Sequence, residues 1–172
     1  TSSAMASVFL GRPAEELTGR GAGLSSEGLS RKAHAIRKAI EVNQPDPEDP
    51  VDVLAKVGGF DIAGMAGVFL GGAALRMPVV IDGFISCVAA LTAMRICPLA
   101  ADYMMASHVS REPAAELLLR SIGKEAFLTC DMCLGEGSGA VMLFPLLDMG
   151  LEVYNKMATF EENEIETYVP LS

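Results

Sequence analysis

The segment Gly135-Glu136-Gly137-Ser138-Gly139 places one carboxylate between glycines. Because glycine has no side chain, ligand atoms can approach a carboxylate in this setting closely. Glu136 also stands just before a stretch typical of a helix, and such a carboxylate suits a general base. The alternative is that Glu136 only caps that helix, although glycine on both sides is an uncommon setting for a cap. The segment therefore predicts a ligand site in which Glu136 accepts a proton.

A second glycine-rich segment, Thr18-Gly19-Arg20-Gly21-Ala22-Gly23-Leu24, runs directly into a helix start at Ser25-Ser26-Glu27. Its alternating glycines leave backbone amides uncovered, and the first-turn amides of a helix favour negative charge. The pattern predicts an anion cradle. Lys32 lies further along this helix, but from the residues alone it is better explained as an ordinary exposed lysine beside Arg31 and Lys38.

Three more polar side chains are candidates for contacts to a sugar phosphate. Asp61 and Asp82 could bind sugar hydroxyls, although Asp61 is equally suited to cap a helix. Ser110 could hold a phosphate through its hydroxyl and backbone amide, or cap the helix expected from Pro113. The residues alone leave these alternatives open.

A repeated order of strand, loop and helix would bring these groups together. Buried strands are predicted over 78–84, 103–107 and 126–130, and the helices that follow them over 85–96, 113–122 and 139–157. This order favours an α/β fold, with a parallel sheet covered by helices on both faces in a Rossmann-like three-layer architecture. Because the carboxyl ends of parallel strands meet at one edge, Asp82-Gly83, 107–110 and 135–139 are expected to converge there.

Four helices are predicted before the first strand, over 1–10, 25–42, 50–56 and 62–75. Asp49 and Asp61 are expected to cap the last two of these. The helix over 62–75 is rich in glycine and is expected to pack tightly against the sheet or another helix. Residues 161–172 are expected to form an acidic, solvated tail after a single domain over 1–160.

The composition excludes several classes of protein. The 172 residues are 51% apolar and 20% charged, which excludes a disordered polar segment. The net charge of −9 argues against a protein that binds nucleic acid by neutralising phosphates. The longest uncharged run, 62–75, is shorter than the roughly 20 residues of a membrane-spanning helix, so no membrane contact is expected.

The cysteines and histidines do not predict a metal site. Cys130-Asp131-Met132-Cys133 has the spacing of a redox or zinc motif, but zinc needs a second pair of ligands. The two histidines, His34 and His108, stand far apart and are more typical of solvated or core positions. Cys87 and Cys97 lie in apolar, helix-like sequence. We therefore expect reduced thiols in a cytoplasmic protein, with no metal and no other cofactor.

Three motifs occur together, in order: Val57-Gly58-Gly59-Phe60-Asp61-Ile62-Ala63-Gly64, Pro78-Val79-Val80-Ile81-Asp82-Gly83-Phe84 and Leu134-Gly135-Glu136-Gly137-Ser138-Gly139-Ala140. With this spacing the chain resembles the nicotinate-nucleotide:dimethylbenzimidazole phosphoribosyltransferase family from Ser2 to about Phe160. The resemblance covers only the carboxyl-terminal half of the family, and the start at Thr1, without an initiator Met, is interpreted as a protein entered partway through.

The resemblance implies an activity and an assembly. The family transfers the phosphoribosyl group of nicotinate mononucleotide to 5,6-dimethylbenzimidazole, which yields nicotinate and the α-ribazole phosphate of the cobalamin lower ligand. It also implies a homodimer whose partners are these small molecules. The family's proposed base corresponds to Glu136, and its phosphate contacts correspond to Lys32 and Ser110. The other implied substrate-binding positions are Gly21, Asp61, Asp82, Gly83, Leu134, Gly137 and Ser138.

Two features depart from the family. Cys133 stands where some members have arginine. The family's Gly-x-Gly-Asn-Thr-Thr phosphate loop and most of its azole pocket precede the position of Thr1, so the chain alone is expected to have little or no transferase activity.

Two other functions compete with the transferase. One is a catalytically silent nucleotide-binding or dimerisation module that kept the fold. The other is a Rossmann-type dehydrogenase, but Gly19-x-Gly21-x-Gly23 lacks the full glycine spacing and no clear strand precedes it.

Overall fold

The computed structural model describes residues 1–21 and 23–166. The fold is mixed α/β, as predicted. Its α-helices are α1 (Ser2–Leu10), α2 (Ala14–Leu17), α3 (Ser26–Asn43), α4 (Pro50–Val57), α5 (Phe60–Ala74), α6 (Phe84–Ile96), α7 (Ala115–Ile122) and α8 (Ser138–Lys156). Its strands are β1 (Val79–Ile81) and β2 (Met104–Ala106), and a 3-10 helix, Pro98–Tyr103, precedes β2.

The two strands form a small parallel sheet. Ile81 at the end of β1 is in register with Ala106 at the end of β2. Parallel strands need a crossover connection, and α6 supplies it. Both strands therefore end at the same edge of the sheet, as the sequence predicted.

The third predicted strand, 126–130, is reduced to one parallel bridge between His108 and Leu128. The amides of Phe127 and Leu128 donate to the carbonyls of Ala106 and Ser107, at 3.1 and 2.9 Å. This segment therefore runs beside the end of β2, and within the described residues it does not extend the sheet as a full strand.

Helix α6 lies at the centre of the core, because every residue from Cys87 to Ala93 is buried. It packs against α1, α4, α5, α7 and β1. Its three alanines, Ala89, Ala90 and Ala93, are fully buried and leave room for the neighbouring helices to approach. The α6 helix thus fixes the directions from which the surrounding elements reach the sheet.

The predicted helix starts are partly confirmed. Asp49 caps α4, where its side chain accepts hydrogen bonds from the amides of Val51 and Asp52. The prediction that Asp61 caps the next helix is wrong: Gly59 is the N-cap of α5 and Asp61 lies in its first turn. The reason lies in the backbone, since the carbonyl of Gly59 already accepts the first helical hydrogen bond from Ala63.

One glycine of α5 explains its close packing. A Cβ on Gly72 would lie 2.3 Å from Cγ2 of Val79 in β1, so glycine allows the helix to touch the sheet. Gly64, Gly67 and Gly71 instead face open space. The predicted tight packing of α5 against the sheet is therefore confirmed at Gly72.

The end of the described chain is exposed from Met157 to Glu166. The predicted acidic tail, 161–172, falls partly outside the described residues, and its separation from a domain over 1–160 stays a prediction. No helix within 1–21 and 23–166 has the length and apolarity needed to cross a membrane.

The cysteines differ sharply in exposure. Cys87 is 1% exposed, and burial raises the pKa of its thiol to about 12. Cys130 and Cys133 are exposed, and none of the four cysteines forms a disulfide.

We expect a thiol reagent at pH 8 to modify Cys130 and Cys133 in the folded protein and to spare Cys87. The thiolate is the reacting species, and Cys87 is both inaccessible and protonated at this pH. Mass spectrometry of the labelled protein checks this, with labelling in urea as the control that reaches all four thiols. Modification of Cys87 at the rate of Cys133 would contradict the burial of its side chain.

Candidate active site

A cavity of about 430 Å³ opens where β1 and β2 end. It is walled by Thr1 and the first two residues of α1, by the glycine-rich loop and α3, by the segments that follow both strands, and by the loop before α8. The lining residues are Thr1, Ser2, Ser3, Gly21, Lys32, Ile36, Gly83, Phe84, Ile85, His108, Ser110, Glu112, Cys133, Leu134 and Gly135. Among them, five were predicted site residues: Gly21, Lys32, Gly83, Ser110 and Leu134.

Asp82, at the end of β1, holds the loop before α8 in place. Its carboxylate accepts hydrogen bonds from the amides of Gly137 at 3.2 Å, Gly139 at 2.8 Å and Ala140 at 3.1 Å. These are unpaired first-turn amides of a helix, whose dipole also favours a negative charge at this end. Both carboxylate oxygens are thus engaged by the backbone, and contact of Asp82 with a sugar hydroxyl stays a prediction.

Glu136 lies on a loop with an unusual backbone. Gly135, Glu136 and Gly137 have φ of 77°, 58° and 80°, so three consecutive residues are left-handed. The left-handed conformation costs a residue with a Cβ roughly 1–2 kcal/mol, and such strain persists only where the surroundings fix it. The hydrogen bond from Gly137 to Asp82 supplies that constraint. The Glu136 side chain is exposed and stands next to Gly135, which lines the cavity.

Lys32 is the one lysine or arginine among the described residues that line the cavity. Its ammonium donates to the carbonyl of Gly19 at 2.9 Å, which fixes the side chain against the glycine-rich loop. Gly21 is adjacent, since a Cβ there would lie 3.9 Å from Nζ of Lys32. An ammonium has three donors, so two remain for an anion in the cavity. The structure therefore joins the predicted glycine loop and Lys32 in one wall.

Ten of the lining residues were not predicted as site residues, among them Glu112 and His108. Glu112 packs over the glycine loop, because a Cβ on Gly19 would lie 1.7 Å from its Oε2. His108 is 3% exposed and lies two residues after the end of β2. Its burial confirms a core position, one of the two settings expected for it, and its place at the cavity agrees with the expected convergence of 107–110 at the strand ends, although His108 was not predicted as a site residue. Glu112 lies beyond that segment, where no spacing pattern distinguishes a lining side chain.

His108 also explains why Gly139 is glycine. A Cβ on Gly139 would lie 1.9 Å from Nδ1 of His108 and 2.9 Å from Oδ1 of Asp82. The first turn of α8 is therefore pressed against the histidine ring, and no larger side chain fits without a shift.

Five predicted site residues lie outside the cavity lining: Glu136, Asp82 and Gly137, described above, and Asp61 and Ser138. Asp61 is exposed at the start of α5. Its side chain and Thr1 both lie close to Gly59, because a Cβ on Gly59 would lie 2.6 Å from Oδ1 of Asp61 and 3.7 Å from Cγ2 of Thr1. Ser138 has a buried hydroxyl with no hydrogen-bond partner in the described part of the chain. Their roles in binding stay predictions.

The comparison with known proteins decides the family. Residues 1–165 match the protein family described as Phosphoribosyltransferase. The chain belongs to this family. The resemblance carried by the three sequence motifs is confirmed, since the chain is 50% identical over 171 residues to the nicotinate-nucleotide–dimethylbenzimidazole phosphoribosyltransferase of Ruminiclostridium cellulolyticum. It is 49% identical over 170 residues to the protein of that name from Acetivibrio thermocellus.

A solved structure agrees with this placement. This chain superimposes on the crystal structure of CobT from Thermus thermophilus with a TM-score of 0.89 and 37% identity, over 97% of this chain and 50% of that one. The chain spans about half the length of the curated relatives it matches, 99% of it aligning with 49% of the Ruminiclostridium cellulolyticum protein. Among the described residues, no three His, Cys, Asp or Glu side chains cluster in the way that a metal site requires.

We expect Gly139→Ala to destabilise the protein by about 1–3 kcal/mol, because the new methyl group must displace the His108 ring or the Asp82 carboxylate. Gly150→Ala is the matched control in the same helix, since a Cβ there meets nothing within 4 Å. It should stabilise the protein by roughly 0.5–1 kcal/mol through helix propensity. Urea unfolding measures both, and equal effects of the two substitutions would contradict the packing at Gly139.

Proposed function

We propose that this chain takes part in the transfer of the phosphoribosyl group of nicotinate mononucleotide to 5,6-dimethylbenzimidazole, with nicotinate and α-ribazole phosphate as products. The observation that supports this most is the single cavity at the strand ends. It joins a cation, Lys32, and a hydroxyl, Ser110, to the loop that carries Glu136. The names of the relatives supply the substrate class.

The reaction requires the protein to position the two substrates and to supply one base. One nitrogen of the benzimidazole attacks the anomeric carbon, and the bond from that carbon to the nicotinate nitrogen breaks. The bonding electrons neutralise the positive charge of the departing ring, so the leaving group needs no proton. Glu136 accepts the proton of the other benzimidazole nitrogen, which makes the azole a better nucleophile.

The phosphate of the nucleotide is proposed to bind against Lys32, Gly21 and Ser110. The chain carries a net charge of −9, so one cation in the cavity wall is the local attraction for a phosphate. Ile85 and Leu134 are exposed apolar side chains in the same lining, and they suit the face of an aromatic base.

We also propose that the protein acts in the cytoplasm as a homodimer, without nucleic acid. The four free cysteines fit a reducing compartment. The long helix α8 exposes apolar side chains along its length, among them Phe144, Leu151 and Tyr154, and such surfaces are typical of contacts with other protein parts.

A catalytically silent binding module remains the second candidate. It is favoured by the exposed position of Glu136, which is next to the cavity but absent from its lining. The two candidates differ in whether Glu136 affects turnover, whereas both require that the nucleotide binds at Lys32.

Lys32→Gln should weaken the binding of nicotinate mononucleotide by about tenfold or more, because a charge-assisted hydrogen bond to phosphate contributes roughly 1.5–3 kcal/mol. Titration calorimetry on the 172-residue chain measures the affinity. Lys38→Gln is the matched control, since Lys38 is exposed on the same helix and outside the cavity. Equal affinity for the two variants would remove Lys32 from the phosphate site.

Glu136→Gln is expected to lower turnover by about 100-fold or more and to leave the Michaelis constant for nicotinate mononucleotide within about twofold, because general-base catalysis contributes 10²–10⁴. The assay follows nicotinate release when the chain is fused to the remaining half of the Ruminiclostridium cellulolyticum relative.

The 172-residue chain alone is the control and is expected to show little or no turnover. Unchanged turnover in the Glu136→Gln fusion would remove this residue from the mechanism. A fusion that binds both substrates without turnover would favour the silent module.

A further inference from the structure

The proposed reaction leaves one buried polar group of the cavity without a role. His108 is 3% exposed and lines the cavity, yet its one side-chain hydrogen bond within the described residues joins Nδ1 to the hydroxyl of Ser107 at 3.0 Å. Its Nε2 has no protein partner in that part of the chain. Since Nε2 is not one of the buried atoms without a partner, it is accessible from the cavity, where a ligand can donate a hydrogen bond to it.

The ring presents its two edges to different neighbours. The Nδ1 edge is pressed against the start of α8, where a Cβ on Gly139 would lie 1.9 Å from Nδ1. The other edge lies near Gly83, where a Cβ would be 3.9 Å from Cε1 and 4.0 Å from Nε2. Gly83 lines the cavity and has no side chain to cover this edge, so Nε2 is open to a ligand.

The hydrogen bonds of Ser107 assign the position of the proton on the ring. The Ser107 hydroxyl lies 2.7 Å from the carbonyl oxygen of Ile81 and 3.1 Å from that of Asp82. Both are acceptors only, so the single hydroxyl proton points at them. Towards His108 the Ser107 oxygen can then only accept, which places a proton on Nδ1. In the neutral imidazole Nε2 is therefore an acceptor.

Few groups in the proposed substrates can donate to such an acceptor. The phosphate and carboxylate of nicotinate mononucleotide are ionised at neutral pH, and its ring nitrogen is bonded to the sugar and carries no hydrogen. Its donors are the ribosyl hydroxyls. The benzimidazole offers one N–H, and the proposed reaction assigns that proton to Glu136.

We infer that His108 is a specificity-determining residue that accepts a hydrogen bond from a ribosyl hydroxyl of the nucleotide through Nε2. This inference rests on the proposed function, because the donor is identified from the substrates. It assigns His108 to recognition of the sugar, while Lys32 and Ser110 face the phosphate. A sugar phosphate that lacks the hydroxyl would leave Nε2 buried without a partner, and binding would weaken for that reason.

The test compares nicotinate mononucleotide with its 2′-deoxy and 3′-deoxy analogues by titration calorimetry on the 172-residue chain. The wild-type protein should bind one of the two analogues about tenfold more weakly, as expected for one lost hydrogen bond. His108→Asn keeps an amide for Ser107 but does not extend to the Nε2 position. It should bind nicotinate mononucleotide about tenfold more weakly and no longer distinguish that analogue.

Two further variants separate recognition from folding. His108→Gln carries an amide oxygen nearer to the Nε2 position and should keep part of the discrimination. His34→Asn is the matched control, because His34 is exposed on α3 and contacts Arg37 outside the cavity. It should leave every affinity unchanged.

A measurement on the unsubstituted protein gives an independent check. In the nitrogen NMR spectrum of the ¹⁵N-histidine protein, the resonance of the unprotonated His108 Nε2 should move towards the protonated range when nicotinate mononucleotide is added. It should not move with the analogue that is bound weakly.

Two results would overturn the inference alone: a wild-type chain that binds all three nucleotides equally, or discrimination that survives in His108→Asn. An equal loss of affinity for all three nucleotides in His108→Asn, with a lowered melting temperature, would assign His108 a structural role instead. A wild-type chain that binds no nucleotide, both alone and when fused to the remaining half of the Ruminiclostridium cellulolyticum relative, would overturn the proposed function and this inference together.

Discussion

The Asp82 carboxylate joins the end of β1 to the first turn of α8, which begins 56 residues later, through the amides of Gly137, Gly139 and Ala140. Hydrogen bonds to a charged group contribute roughly 1.5–3 kcal/mol each when water is excluded, and the helix dipole adds to the attraction. This contact fixes where α8 begins. Because the loop before α8 carries Glu136, the same contact also fixes where the proposed base stands relative to the strand ends.

The contact requires that backbone and side chains approach closely on both sides of the Asp82 carboxylate. Gly139 allows the start of α8 to touch the ring of His108, and no larger residue would fit there. Gly135 and Gly137 adopt left-handed backbone conformations that bracket the strained Glu136. Geometry thus explains why glycines flank Glu136: the loop before α8 must turn sharply and still leave the Glu136 carboxylate accessible.

The electrostatics of the site are local and differ from those of the whole chain. The protein has a net charge of −9, yet the cavity wall presents the Lys32 ammonium, fixed by the Gly19 carbonyl. Glu112 lies over the same loop, so a phosphate would bind between a cation and a nearby carboxylate. This arrangement suits one small anionic ligand, because the attraction is confined to one end of the cavity.

Local signals in the sequence determined most helix boundaries, because caps and apolar periodicity act within a few residues. Asp49 caps α4 as predicted, α3 begins at the predicted helix start with Ser25 as its cap, and three short motifs identified the family. Contacts between distant segments were decided only by the tertiary structure. The segment 126–130 forms a single bridge instead of a full strand, since strand pairing depends on a partner far along the chain. For the same reason the sequence could not show that Asp82 is engaged by the α8 amides, or that His108 is at once a core residue and part of the cavity wall.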